Sequence, residues 1–166
     1  MQGLYFIKKG GGQVEKYMRL AIEEAKKCAL MDEVPVGAVI VKDGEVIAAC
    51  ANARESEKDA TAHAETKAIR LACKKLGGWN LHDCELYVTL EPCLMCAGAI
   101  VNARIAKVVY GASDVKGGAM GGMTDILELP VNHKPEVVSG VLGDECAAIL
   151  KDFFREKRER GKRWNK

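Results

Sequence analysis

With 166 residues, 48% of them hydrophobic and 29% charged, the chain fits one domain able to bury a real core. No uninterrupted apolar run approaches the roughly twenty residues of a membrane span, and the first residues lack the apolar core and cleavage site of a secretory signal, so the pattern is that of a globular, non-membrane protein. The net charge of +2 hides an asymmetry: residues 151–166 hold eight basic side chains against three acidic ones, net +5, which leaves −3 for the rest. A basic end on a mildly acidic body suits a phosphate-bearing partner, and on charge alone it suits a solvated helix end nearly as well.

Residues 1–13, with the run Gly10-Gly11-Gly12, are expected to form a poorly ordered tail ahead of a single domain at 14–166. Over 14–31 the apolar residues Val14, Met18, Ala21, Ile22, Ala25, Cys28 and Ala29 recur at three and four, which predicts a helix with one buried stripe. A strand at 36–41, the two-residue turn Asp43-Gly44 and a returning strand at 46–50 make a hairpin. After a polar loop at 52–59, a helical pattern starts at Thr61 and stops at Gly77-Gly78, which puts His63 in its first turn. A strand at 86–90 feeds a helix opened by Pro92, and a strand at 106–110 completes a βαβ unit whose two strands are expected to be parallel. The glycine-rich stretch 117–122 is expected to be mobile and 137–142 to hold a short fifth strand. Asp144 caps a last helix that buries Ala147, Ile149, Leu150, Phe153 and Phe154. The sum is a three-layer α/β/α domain with a five-stranded mixed sheet.

Seven cysteines at 28, 50, 73, 84, 93, 96 and 146 form an odd, scattered set that suits reduced thiols in a cytoplasm better than a disulfide framework. Two of them stand apart. In Pro92-Cys93-Leu94-Met95-Cys96 the thiols lie three residues apart at a helix start, where unpaired N–H groups and the helix dipole favour the thiolate that a metal binds. About thirty residues upstream, His63-Ala64-Glu65 supplies an imidazole with a carboxylate two positions on. Taken singly, Cys-X-X-Cys reads as a redox pair or two core thiols, and His-X-Glu arises by chance on charged helices. Together they offer three zinc ligands, His63, Cys93 and Cys96, where a structural zinc is closed by four, so the fourth position is left for water. Such a zinc lowers the pKa of water from about 15.7 toward 7. The combination is identified as the signature of zinc-dependent nucleobase deaminases, and that resemblance implies Glu65 beside the metal as the group that moves the water's proton.

The resemblance goes further. From about Val14 to the last helix the chain resembles bacterial tRNA-specific adenosine deaminases, of the cytidine/deoxycytidylate deaminase superfamily. It does so in Glu33-Val34-Pro35-Val36-Gly37-Ala38-Val39, Thr61-Ala62-His63-Ala64-Glu65, Tyr87-Val88-Thr89-Leu90-Glu91-Pro92-Cys93, Met95-Cys96-Ala97-Gly98-Ala99 and Asp144-Glu145-Cys146-Ala147-Ala148. The resemblance implies a cytidine-deaminase-like fold and one zinc per chain. It also implies Glu65 as proton shuttle, Asn52 and Asp114 against a flipped nucleotide, and Phe154 near the anticodon loop. The expected reaction is conversion of the wobble adenosine of an arginine tRNA to inosine by a cytoplasmic homodimer that packs through the small-residue helix at 96–103. The 117–122 loop is richer in glycine than the family pattern. Two other readings stay open: a free-base deaminase of guanine or cytosine type, and a nucleic-acid-binding module whose structural zinc takes a fourth ligand from His82, Cys84 or His133.

Overall fold

The computed structural model describes residues 11–164. Helix α1 (Gly11–Ala29) begins three residues ahead of the expected Val14 and buries Tyr17, Met18, Ala21, Ile22, Ala25 and Cys28, the predicted stripe with Tyr17 added. It ends at Ala29, and Asp32 beyond it takes a left-handed backbone (φ 58°). The residues expected in a disordered tail that precede Gly11 lie outside the described ones.

Strands β1 (Gly37–Lys42) and β2 (Glu45–Ala51) form the predicted hairpin. Asp43 (φ 50°) and Gly44 (φ 78°) are both left-handed, the backbone a type I′ turn demands. Helix α2 (Ala64–Leu76) stops at left-handed Gly77, whose N–H closes on Cys73 O. Strand β3 (Cys84–Leu90), helix α3 (Leu94–Asn102) and strand β4 (Lys107–Ala112) are the βαβ unit, with β3 and β4 parallel as expected. Strand β5 (Glu136–Val138) pairs parallel to β4, and helix α4 (Gly143–Trp164) closes the domain with Asp144 and Glu145 at the positive end of its dipole.

The sheet runs β2-β1-β3-β4-β5. Its central strands are apolar on both faces, as strands covered twice must be. Ala38, Ile40, Leu86, Val88, Val108 and Tyr110 face α2 and α3, packing on Ala64, Ala68, Ala72, Ala97 and Ile100. The alternate residues Val39, Val41, Tyr87 and Val109 face α1 and α4, packing on Met18, Ala21, Ile22 and Cys146. This is the predicted three-layer α/β/α sandwich. Gly37 lets α1 lie on β1: a β-carbon there would sit 1.9 Å from Ala21 O.

One expectation is corrected. The 117–122 stretch is held rather than loose, because Ala119 and Met120 are buried and the N–H groups of Met120 and Gly122 donate to the carboxylate of Glu91.

Candidate active site

Strands β3 and β4 run parallel, and β1 and β2 present the start of one and the finish of the other at the same edge: Gly37 pairs with Ala51, and Leu90 with Ala112. Four connections therefore meet beyond the carboxyl ends of β3 and β4, the usual place for a ligand in an open α/β sheet. They carry Glu33 to Val36, Asn52 to His63, Glu91 to Cys93, and Ser113 onward. His63 and Cys93 are not inside the first turns of their helices, as the sequence suggested. Each is the N-cap, in extended backbone, and neither side chain bonds its helix. Pro92 stands one residue before the cap rather than opening the helix. The cap side chains are turned to each other.

Nδ1 of His63 lies 3.6 Å from Sγ of Cys93 and 3.5 Å from Sγ of Cys96. Bonds of about 2.05 Å to nitrogen and 2.3 Å to sulfur at a tetrahedral angle span an N···S edge of about 3.6 Å, so both N···S edges match those of a zinc site. Two thiols and an imidazole are also the donor set that suits zinc. The protein groups prepare the charge. Hydrogen bonding from Cys96, helped by His63, pulls the Cys93 thiol down to about 4 against the opposing effect of burial. The Cys96 thiol is pushed upward by its bond to Cys93 and by burial. A divalent cation replaces that shared proton and lets both be thiolates.

A cavity of about 380 Å³ opens over this cluster, lined in part by His63, Glu65, Cys93, Asn52 and Asp114. Its size is at the small end of ligand pockets. Glu65 is buried, and burial above all pushes its carboxyl up to about 7, where it can both take and give a proton near neutral pH. Among the described residues His63, Cys93 and Cys96 are the only group of three or more metal-ligating side chains. His82 and Cys84 do not join it, and His133 is engaged elsewhere through Nε2 and Ile105 O at 2.7 Å. A closed four-ligand structural zinc finds no fourth residue among those described.

Residues 13–158 match the MafB19-like deaminase family. The tRNA-specific adenosine deaminase of Bacillus subtilis (strain 168) is 54% identical over 151 residues, 90% of this chain and 94% of that one. The chain belongs to the tRNA-specific adenosine deaminase family. It is thus an enzyme, a hydrolytic deaminase. A solved structure from work on A-to-I editing by tRNA:A34 deaminases at the wobble position superposes with a TM-score of 0.78 at 48% identity, over 81% of this chain and 99% of that one. A guanine deaminase from Bacillus subtilis superposes with a TM-score of 0.58 at 47% identity, over 60% of this chain and 64% of that one.

Within this deaminase the structure brings five of the expected residues round one cavity and buries Cys96 3.5 Å from His63 Nδ1, but it leaves Phe154 outside. Phe154 lies on α4, 42% exposed, edge-to-face with buried Phe153 at 5.4 Å. It was expected on the buried side, and only Phe153 goes there. Two residues that sequence reasoning passed over line the same cavity: Glu33, 1% exposed, and Glu91, 2% exposed. Glu33 accepts the N–H groups of Ser56 at 2.6 Å and Glu55 at 3.2 Å and so fixes the loop after Asn52. Burial pushes the Glu33 carboxyl up, and the backbone donors of Ser56 and Glu55, with the Ser56 hydroxyl and the charge of Lys157, together outweigh it and hold the group below its ordinary value. The signal for both was a carboxylate inside an otherwise apolar motif.

Proposed function

We propose that the protein hydrolyses adenosine to inosine at the wobble position of a tRNA anticodon, that of an arginine tRNA, using one zinc ion held by His63, Cys93 and Cys96. The observation that carries this is the three-cornered ligand set at the floor of a nucleotide-sized cavity with Glu65 buried beside it. When bound, zinc supplies a Lewis acid that brings the pKa of water from about 15.7 to about 7. Glu65 would carry one proton of the attacking water to N1 of adenine as the water oxygen bonds C6, and would then carry that oxygen's remaining proton to the amino group, which leaves C6 as ammonia with inosine as the product. Asn52 is oriented for the base by its own amide, which donates to Val34 O at 3.1 Å. Asp114 is fixed by the N–H groups of Lys116 at 3.0 Å and Gly117 at 3.1 Å, which its Oδ1 accepts.

The RNA enters against α4. Arg160 and Lys157 reach Asp32 at 2.7 and 3.7 Å, which ties the basic helix to the segment leading into Glu33 at the cavity wall. Exposed Phe154, Arg155 and Arg158 lie on the other side of that helix, away from buried Phe153, where a base can stack and phosphates can pair. An anticodon loop presents unpaired bases, which lowers the cost of flipping one into the cavity. Helix α3 leaves Leu94 54% exposed and open space above Gly98, which supports a homodimer packed on that helix. Seven free thiols support a cytoplasmic setting.

The test is ammonia release and inosine detection on an arginine-tRNA anticodon stem-loop beside guanine, cytosine and free adenosine. Turnover of the stem-loop far above the free bases is expected, and its loss on truncation after Phe154 should be mostly in KM. The likeness to a guanine deaminase favours the second reading, and guanine as the far better substrate would establish it in place of the first.

A further inference from the structure

At Gly118 and Gly122 of the 117–122 loop the Glu91 carboxylate fills the space where side chains would be. Glu91 Oε1 accepts the N–H groups of Met120 at 3.0 Å and Gly122 at 2.8 Å, and Oε2 accepts that of Asp114 at 2.9 Å. A β-carbon on Gly118 would lie 2.3 Å from Glu91 Cδ, and one on Gly122 2.2 Å from Asp114 O. The same loop is stitched to the metal-ligating segment by the Cys93–Gly118 bridge and by Ala119 N–H on Pro92 O at 2.8 Å. Glu91 thus joins two things that must keep register: the strand end that delivers Cys93 and the loop that delivers Asp114.

We propose that Glu91 is a positioning residue that sets Asp114, and through it the substrate, at a fixed height above the metal site. This rests on Asp114 as a nucleotide contact, given above. The carboxylate is an acceptor on both oxygens, which three converging N–H donors need. An amide in its place turns an NH2 toward one of them, and if Oε1 is kept for two donors, the one repelled is Asp114 N–H. Loss of a carboxylate that only stabilised the fold would lower the melting temperature without touching KM in the folded enzyme.

The experiment uses zinc-loaded full chains of wild type, Glu91→Gln, Asp114→Ala and the double variant, on whichever of the stem-loop, guanine or adenosine the wild type deaminates. Each single variant should raise KM roughly tenfold or more, as expected for one charge-assisted hydrogen bond, with a smaller change in kcat and one zinc per chain retained. The double variant should be no worse than Asp114→Ala, because Glu91 acts through it. Glu91→Asp keeps the charge but shortens its reach to the three donors, and it too should raise KM. If Glu91→Gln does not fold, that variant decides. Additive effects in the double variant, or an unchanged KM in Glu91→Gln or Glu91→Asp, overturn the proposal. A wild type that prefers guanine overturns the tRNA reading alone, and one that deaminates none of the three overturns both.

Discussion

Replacing Glu33 by glutamine tests the other buried carboxylate of the cavity wall. The side chain holds the loop behind Asn52 through two backbone N–H groups, at 2.6 Å from Ser56 and 3.2 Å from Glu55. Glutamine keeps one acceptor for the shorter bond and turns an NH2 against the other donor, so one bond to an ionised group is lost, about 1.5–3 kcal/mol. With a urea slope of about 1–3 kcal/mol/M, the unfolding midpoint should fall by about 1 M at pH 7. The sign of the pH dependence follows from the lowered pKa of Glu33 in the fold. Its stabilisation is fully present above the unfolded carboxyl pKa, near 4.5, and is lost as pH drops through the still lower folded value. Urea titrations of zinc-loaded wild type and Glu33→Gln from pH 7 to pH 3 should therefore show a gap that holds down to about pH 4.5 and closes below it. Zinc release in acid affects both proteins alike and drops out of the difference. A gap independent of pH, or none at pH 7, would refute the role given to Glu33.

Glu65→Gln should retain one zinc by elemental analysis and lose about 10²- to 10⁴-fold in kcat, as loss of a general acid–base does; retained turnover would make Glu65 structural. Prolonged dialysis against a strong chelator should remove one metal per chain, abolish ammonia release and lower the melting temperature, and stoichiometric zinc should restore all three. Gly37→Ala, whose methyl would meet Ala21 O at 1.9 Å, should cost at least the 1–3 kcal/mol of an overpacked core by urea titration, with α1 displaced from β1.

Local chemistry was legible wherever a residue's partner lies close in the chain. Asp43-Gly44 announced its turn because both residues tolerate the left-handed backbone a tight hairpin needs, and Gly77 announced the end of α2 for the same reason. His63, Cys93, Cys96 and Glu65 were found because metal ligation and proton transfer restrict residue type so strongly. What sequence reasoning misplaced was non-local. Glu91 was passed over, since its donors at Asp114, Met120 and Gly122 lie 23 to 31 residues away. Without that partner the glycines of 117–122 could only be read as slack. Phe153 and Phe154 are adjacent on a helix, so they point about 100° apart, and which of them faces α1 depends on a packing angle the periodicity does not contain.

The two ligands that cap their helices without bonding them have a consequence for anyone breeding variants of this protein. Serine at 93 or aspartate at 63 would supply the missing cap and add about 1 kcal/mol to a chain that holds no zinc. Zinc reverses the balance by mass action, since it binds the native chain alone. A screen for yield or heat resistance run in zinc-poor medium therefore rewards the loss of those ligands, and the trait most worth keeping is the one such a screen erodes first.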